Sequence, residues 1–118
     1  MPLRRRQQNA VEEPARRPTR PPDELVRLYL RGQNLEQMLQ TDEAIPLYEE
    51  AVAAQFDAAG PYDRLIALYY ERESFADVAR VAAAAVSNVR TFDDKRNWYE
   101  SMRADAEGAA RDKRGAEF

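Results

Sequence analysis

The sequence contains neither cysteine nor histidine. Their absence excludes disulfides, thiol nucleophiles, imidazole acid–base catalysis and nearly all zinc, haem and iron–sulfur ligation. Glycine is scarce, at four residues in 118. None of the four builds a phosphate-cradling loop or a Gly-x-Ser-x-Gly elbow, and no carboxylate-rich calcium loop is present. Long hydrophobic runs are missing too. The longest, such as Val81 to Val86, fall far short of the roughly 20 apolar residues that cross a bilayer. The basic N-terminus is followed by prolines rather than an apolar stretch, so it does not read as a secretory signal and a cytoplasmic location is expected. The remaining candidates for catalysis are weak. Asp93-Asp94 and Glu49-Glu50 are adjacent in sequence and so point to different sides of a helix, while Ser74 reads as a cap and Ser87 and Ser101 lie within helices without a nearby base. The expectation is a non-enzyme without metal or cofactor.

The charge that is present is divided unevenly. Residues 1–22 carry Arg4, Arg5, Arg6, Arg16, Arg17 and Arg20 against Glu12 and Glu13, a local balance of +4, which leaves −7 on residues 23–118. Five of the seven prolines (Pro2, Pro14, Pro18, Pro21 and Pro22) fall in the same stretch. A segment so poor in large apolar residues cannot offset the entropy of ordering, so residues 1–22 are expected to form a flexible, disordered arm. Pro21-Pro22 marks the boundary.

From Asp23 onward the periodicity is helical. Asp23 is a candidate N-cap, and Leu25, Leu28, Leu35, Met38 and Leu39 recur at three- and four-residue spacing to about Gln40. A second helix, capped around Thr41-Asp42-Glu43, carries Ile45, Leu47, Tyr48, Ala51 and Val52 to about Phe56, with Pro46 in its first turns. Asp57 to Pro61 reads as a loop, and Pro61 opens a third helix with Tyr62, Leu65, Ile66, Leu68 and Tyr69 that ends near Arg72-Glu73. Ser74 caps a fourth, with Phe75, Val78, Val81, Ala82, Ala85, Val86 and Val89 inside. A fifth begins near Thr91 or Phe92 and holds Trp98, Tyr99, Met102 and Ala106. Sustained alternation of polar and apolar residues is absent, so the chain is expected to be all-α with about five helices. The domain is predicted over residues 23–109, followed by a frayed tail over residues 110–118.

Sliding the sequence by 34 residues aligns Leu28 with Tyr62, Gly32 with Ile66, Leu35 with Tyr69, Ala44 with Val78, Tyr48 with Ala82, and Ala51 with Ala85. Both copies then read helix, turn, helix in register. Over roughly residues 25–90 the chain resembles the tetratricopeptide repeat family, whose unit has this length and sets small residues in its second helix. Asp42-Glu43-Ala44-Ile45 followed by Leu47 to Val52 looks like that second helix. Arg31 departs from the pattern, since the family usually has a large apolar residue there, and Gly60-Pro61 follows a slightly long connection. The resemblance implies two such repeats and a closing C-terminal helix, coiled as a right-handed α-α superhelix.

The resemblance also implies a partner-binding concave face formed by the first helix of each pair. It would present Tyr29, Gln33 and Glu36, then Asp63, Ala67, Tyr70 and Glu71, and finally Asn97, Ser101 and Asp105 from the closing helix. Members of the family that grip a C-terminal carboxylate use cations on these helices, and the cations are missing here. An acidic, aromatic groove suits a basic or proline-containing protein segment instead, in an adaptor or scaffold role. For the arm, Arg4, Arg5, Arg6, Arg16, Arg17 and Arg20 admit three roles: contact with nucleic-acid phosphates, docking on the acidic face of the same or a neighbouring molecule, or a solubilising leader. A homodimeric structural subunit is a further alternative.

Overall fold

A computed structural model describes residues 17–90 and 94–116. Among these residues five helices follow one another: α1 (Pro22–Gln37), α2 (Thr41–Ala53), α3 (Ala59–Glu71), α4 (Phe75–Asn88) and α5 (Asp94–Ala116). No strand occurs among the described residues, so the chain is all-α as its periodicity predicts. Each helix packs on the next in sequence. No helix among the described residues is long and apolar enough to cross a membrane.

The helix starts differ from the expected caps. Asp23 lies inside the first turn of α1, because Pro22 takes the first helical position with Pro21 before it. Proline fits there because the first N–H groups of a helix have no internal partner. Asp23 and Glu24 then complement the positive end of the helix dipole. Gln40, rather than a residue of the Thr41-Asp42-Glu43 group, precedes α2, and α3 begins at Ala59 with Pro61 inside its first turn. Ser74 does precede α4, but its hydroxyl makes no cap; its carbonyl accepts the N–H groups of Asp77 and Val78.

The helix ends come earlier than the periodicity predicts for α1 and α2. Each of the first three helices closes through a residue in the left-handed region, Leu39 at φ 60°, Gln55 at 63° and Glu73 at 58°. The two residues after each cap reach back to the carbonyls of the last turn, the Schellman arrangement that normally uses glycine. Here the chain accepts a side chain in a backbone region that favours none.

Two of these turns repeat hydrogen bond for hydrogen bond at the 34-residue offset. Gln40 donates to the Leu35 carbonyl and Ser74 to that of Tyr69, both at 2.8 Å. Leu39 and Glu73 donate to Glu36 and Tyr70 at 2.9 and 3.0 Å. Of the six aligned pairs, four are buried in both copies, namely Gly32 and Ile66, Ala44 and Val78, Tyr48 and Ala82, and Ala51 and Ala85. Leu35 and Tyr69 are partly buried in both. Leu28 differs from its counterpart: it lies half-buried against the cluster of Leu25, Ala51, Ala54 and Phe56, whereas Tyr62 is fully buried.

Gly32 shows how the copies differ without losing packing. A Cβ there would lie 2.5 Å from Cε1 of the buried Tyr48 ring. The second copy reverses the sizes, with Ile66 at the glycine position and Ala82 at the tyrosine position, both inside the main core.

The main core runs through α2, α3, α4 and α5 and includes Tyr48, Tyr62, Leu65, Val78, Val81, Ala85, Tyr99 and Ala106. A smaller cluster of Leu25, Ala51, Ala54 and Phe56 closes the α1–α2 end. The buried tyrosines keep their hydroxyls bonded, as burial of a polar group requires. Tyr62 donates to the Phe56 carbonyl at 2.8 Å, and burial pushes its phenol up to about 12. Tyr99 donates to Asp63 Oδ1 at 2.8 Å.

Two predicted boundaries are corrected. Order begins before residue 23: Thr19 donates its N–H to the Ala54 carbonyl at 2.8 Å, and Arg20 pairs with Glu24 and Glu50 at 3.1 and 2.8 Å. The predicted arm over residues 1–16 lies outside the described residues. At the other end, α5 stays helical through Ala116 where the composition predicts a frayed tail from residue 110. Tertiary contact supplies the reason. Lys113 Nζ reaches the Glu73 carbonyl at 3.0 Å and sits 6.0 Å above the Phe75 ring, so the end of α5 leans on the turn that joins α3 to α4. The predicted start of this helix at Thr91 or Phe92 lies outside the described residues.

Candidate functional site

Helical spacing of four and three places Asp63, Ala67, Tyr70 and Glu71 along one side of α3, and Trp98, Met102 and Asp105 along one side of α5. Together with Ile66 these residues line a cleft of about 340 Å³ between the two helices. Ile66, Ala67 and Met102 give the cleft an apolar lining, while Tyr70 and Trp98 are 48% and 42% exposed. The two rings therefore bring large apolar area to a site that remains open to solvent.

One end of the cleft is already neutralised. Both oxygens of Asp63 are taken, one by Lys95 Nζ at 2.6 Å and one by the Tyr99 hydroxyl. The same ammonium lies 5.0 Å from the centre of the Trp98 ring and 5.5 Å from that of Tyr99. A cation is thus held by a carboxylate and two aromatic faces, the arrangement in which ring quadrupole and charge act together. Burial, reinforced by the hydrogen bond to Asp63, raises the Tyr99 phenol well above its ordinary value. At the other end Glu71 and Asp105 have no hydrogen bond or ion pair among the described residues.

The α1 residues expected on this face do not reach the cleft. Tyr29 lies partly buried with its ring against Tyr48, the centroids 6.0 Å apart, and on Gly60, where a Cβ would come within 2.5 Å of Cζ. Its hydroxyl accepts a hydrogen bond from Gln33 Nε2 at 2.9 Å. Glu36 accepts two hydrogen bonds from Arg64, at 3.0 and 2.6 Å, and one from the Tyr48 hydroxyl at 2.5 Å. Those bonds, that from Arg64 foremost, hold its carboxyl below the usual carboxylate range. Burial, then Glu36, raises the Tyr48 phenol in return. Glu36 therefore contributes no free negative charge. Its sequence neighbours hide this, because Arg64 approaches from 28 positions away.

A second polar cluster sits between α2 and α4. Arg80 donates to Glu49 at 3.1 and 2.7 Å and to Asp77 at 3.1 Å, and the Tyr69 hydroxyl also donates to Glu49. Burial works to raise the Glu49 carboxyl, but the bonds from Arg80 and Tyr69 outweigh it and leave it lowered. Every member is paired, so the cluster fastens the two repeats together.

Asn97 and Ser101 are exposed on α5 outside the cleft lining; Trp98 and Met102 take that place. A one-residue shift of face is enough to exchange them, and the spacing 98, 102, 105 is the signal that identifies the correct stripe. Of the arm arginines, Arg17 is exposed and Arg20 is bound to α1 and α2, away from the cleft. Arg4, Arg5, Arg6 and Arg16 lie outside the described residues. Among the described residues no group of three or more acidic side chains is placed to hold a metal ion.

No protein-family model matches the chain, and neither does any curated protein or solved structure.

Proposed function

We propose that the protein is a non-catalytic, tetratricopeptide-like interaction module whose cleft between α3 and α5 takes up an extended basic segment of a protein partner. The observation that carries this reading is the pairing of two half-exposed aromatics, Tyr70 and Trp98, with two carboxylates that have no partner among the described residues, Glu71 and Asp105, around an apolar lining. Arginine and lysine side chains present an apolar stem and a cationic tip, and the cleft offers the complement of each. Lys95 already occupies one end in that manner. Repetition of the helix–turn–helix unit at 34 residues supports the family resemblance.

Titration with a fluorescein-labelled peptide of alternating arginine and proline tests the proposal. Saturable binding is expected. It should weaken at least tenfold in E71Q/D105N and in W98A, and fall steeply with added salt, because exposed charges are screened within about 10 Å at 0.1 M. Equal binding of a glutamate–proline peptide, or full affinity in W98A, would overturn it.

A further inference from the structure

The cleft has a cationic segment within reach on its own chain. We infer that the arginine-rich stretch Arg4-Arg5-Arg6 occupies the α3–α5 cleft in cis and competes there with outside ligands; this rests on the cleft reading above. Three observations lead to it. The first is charge. Residues 1–22 hold +4 and the body holds −7, and the carboxylates left over after internal pairing include Glu71 and Asp105 at the cleft.

The second is the anchor. The N–H of Thr19 is held by the Ala54 carbonyl at 2.8 Å, and Arg20 by Glu50, so the chain enters the described body beside the connection that leads into α3. Asp63, at the near end of the cleft, lies in the first half of that same helix.

The third is length. The 13 residues from Arg6 to Thr19 span up to about 40 Å in polyproline geometry. The 13 residues of α3 extend only about 20 Å. Proline at positions 14 and 18 of the sequence lowers the entropy lost when such a segment docks. Tethering also raises the local concentration of the three arginines to the order of millimolar, well above that of most free ligands.

Trp98 is the chain's sole tryptophan, so its fluorescence reports on the cleft alone. The full chain is compared with R4S/R5S/R6S, whose changes lie outside every described contact, after circular dichroism has shown equal helix content. In about 50 mM salt, acrylamide should quench Trp98 two- to threefold less in the unsubstituted chain. Raising salt to about 0.5 M should bring it to the value of the variant, which itself stays unchanged. E71Q/D105N should reproduce the variant's quenching.

Equal quenching of the two chains at low salt would overturn the inference. So would shielding that grows with protein concentration, since that places the arginines in a second copy. A synthetic peptide of residues 1–16, titrated into R4S/R5S/R6S, separates this failure from that of the cleft reading. Saturable binding without shielding in the full chain leaves the cleft as a peptide site and removes only the cis contact. Absence of both removes both.

Discussion

The interval between α1 and α3 and the interval between α3 and α5 are built on the same plan and end differently. In the first, Tyr29 lies on Gly60, and Glu36 reaches Arg64 and Tyr48, so aromatic surface and charge are both consumed by the protein itself. In the second, Asp63 is answered by Lys95 and Tyr99 at one end, but Tyr70, Glu71, Trp98 and Asp105 are left facing a hollow. The comparison teaches that stacking hairpins does not of itself create a binding face. The face is open only where the inward side chains are not covered from the facing helix of the same interval; Tyr70 meets Phe75 of α4 edge-on and still stays half-exposed.

The strongest test of this contrast removes the fit on the closed side. Gly32→Ala should destabilise the protein by about 2 kcal/mol, because Tyr48 is fully buried and its ring cannot retreat, and this outweighs the helix propensity that alanine adds. Urea unfolding would measure it. Gly32→Ile combined with Tyr48→Ala copies the second repeat's own pair, and the double variant should be more stable than Gly32→Ile alone. A double variant that is no better would show that the two repeats do not share one packing plan.

Glu36→Gln comes next, with an expected loss of about 1 kcal/mol. The figure is modest because the Arg64 side chain is 41% exposed and rehydrates when its partner is neutral. Its pH signature is more telling. The folded carboxyl is held below its unfolded value, so the stabilisation is present above the usual carboxylate range and is lost as pH falls through and below it. The melting temperature of the unsubstituted chain should therefore drop more between pH 6 and pH 3 than that of Glu36→Gln. Parallel curves would mean that the pair contributes nothing to the closed interval.

On the open side the expected effect is smaller. Tyr70→Ala and Trp98→Ser remove half-exposed rings and should each cost under about 1 kcal/mol, far less than truncation of buried Tyr99 by the same melting assay. A loss comparable to that of a core residue would show that the rings complete the core and do not belong to a docking surface.

The smallest effect concerns what the intervals share. Leu39→Gly and Glu73→Gly relieve left-handed strain at equivalent turns, but glycine also adds entropy to the unfolded chain. A net gain of about 0.5 kcal/mol is expected at both. A gain at one position only would break the equivalence of the turns.

Much of the architecture was legible because the apolar spacing of Leu25 through Ala106 has one consistent period, and periodicity is a local property of the chain. The ends of α1 and α2 were not legible. Helices are usually stopped by glycine or asparagine, whereas Leu39 and Gln55 carry no such mark and are forced into the left-handed region by the packing of the next helix. The candidate site was half legible. Asp63, Ala67, Tyr70, Glu71 and Asp105 line one cleft, yet Glu36 was out of reach of sequence reasoning because its charge is cancelled by a residue on another helix. Trp98 and Met102 were placed on the closing helix but not in the groove, although both line the cleft.

The amino-acid sequence by itself therefore determined the helical class, the 34-residue repetition and the separation of a basic start from an acidic body, since each depends only on which residues occur and how they are spaced. Tertiary structure alone decided which carboxylates remain unpaired, which aromatics stay in contact with water, and how far α5 runs. Those outcomes depend on what approaches a side chain from elsewhere in the fold, and pairing and burial over 28 or more positions leave no trace in local spacing.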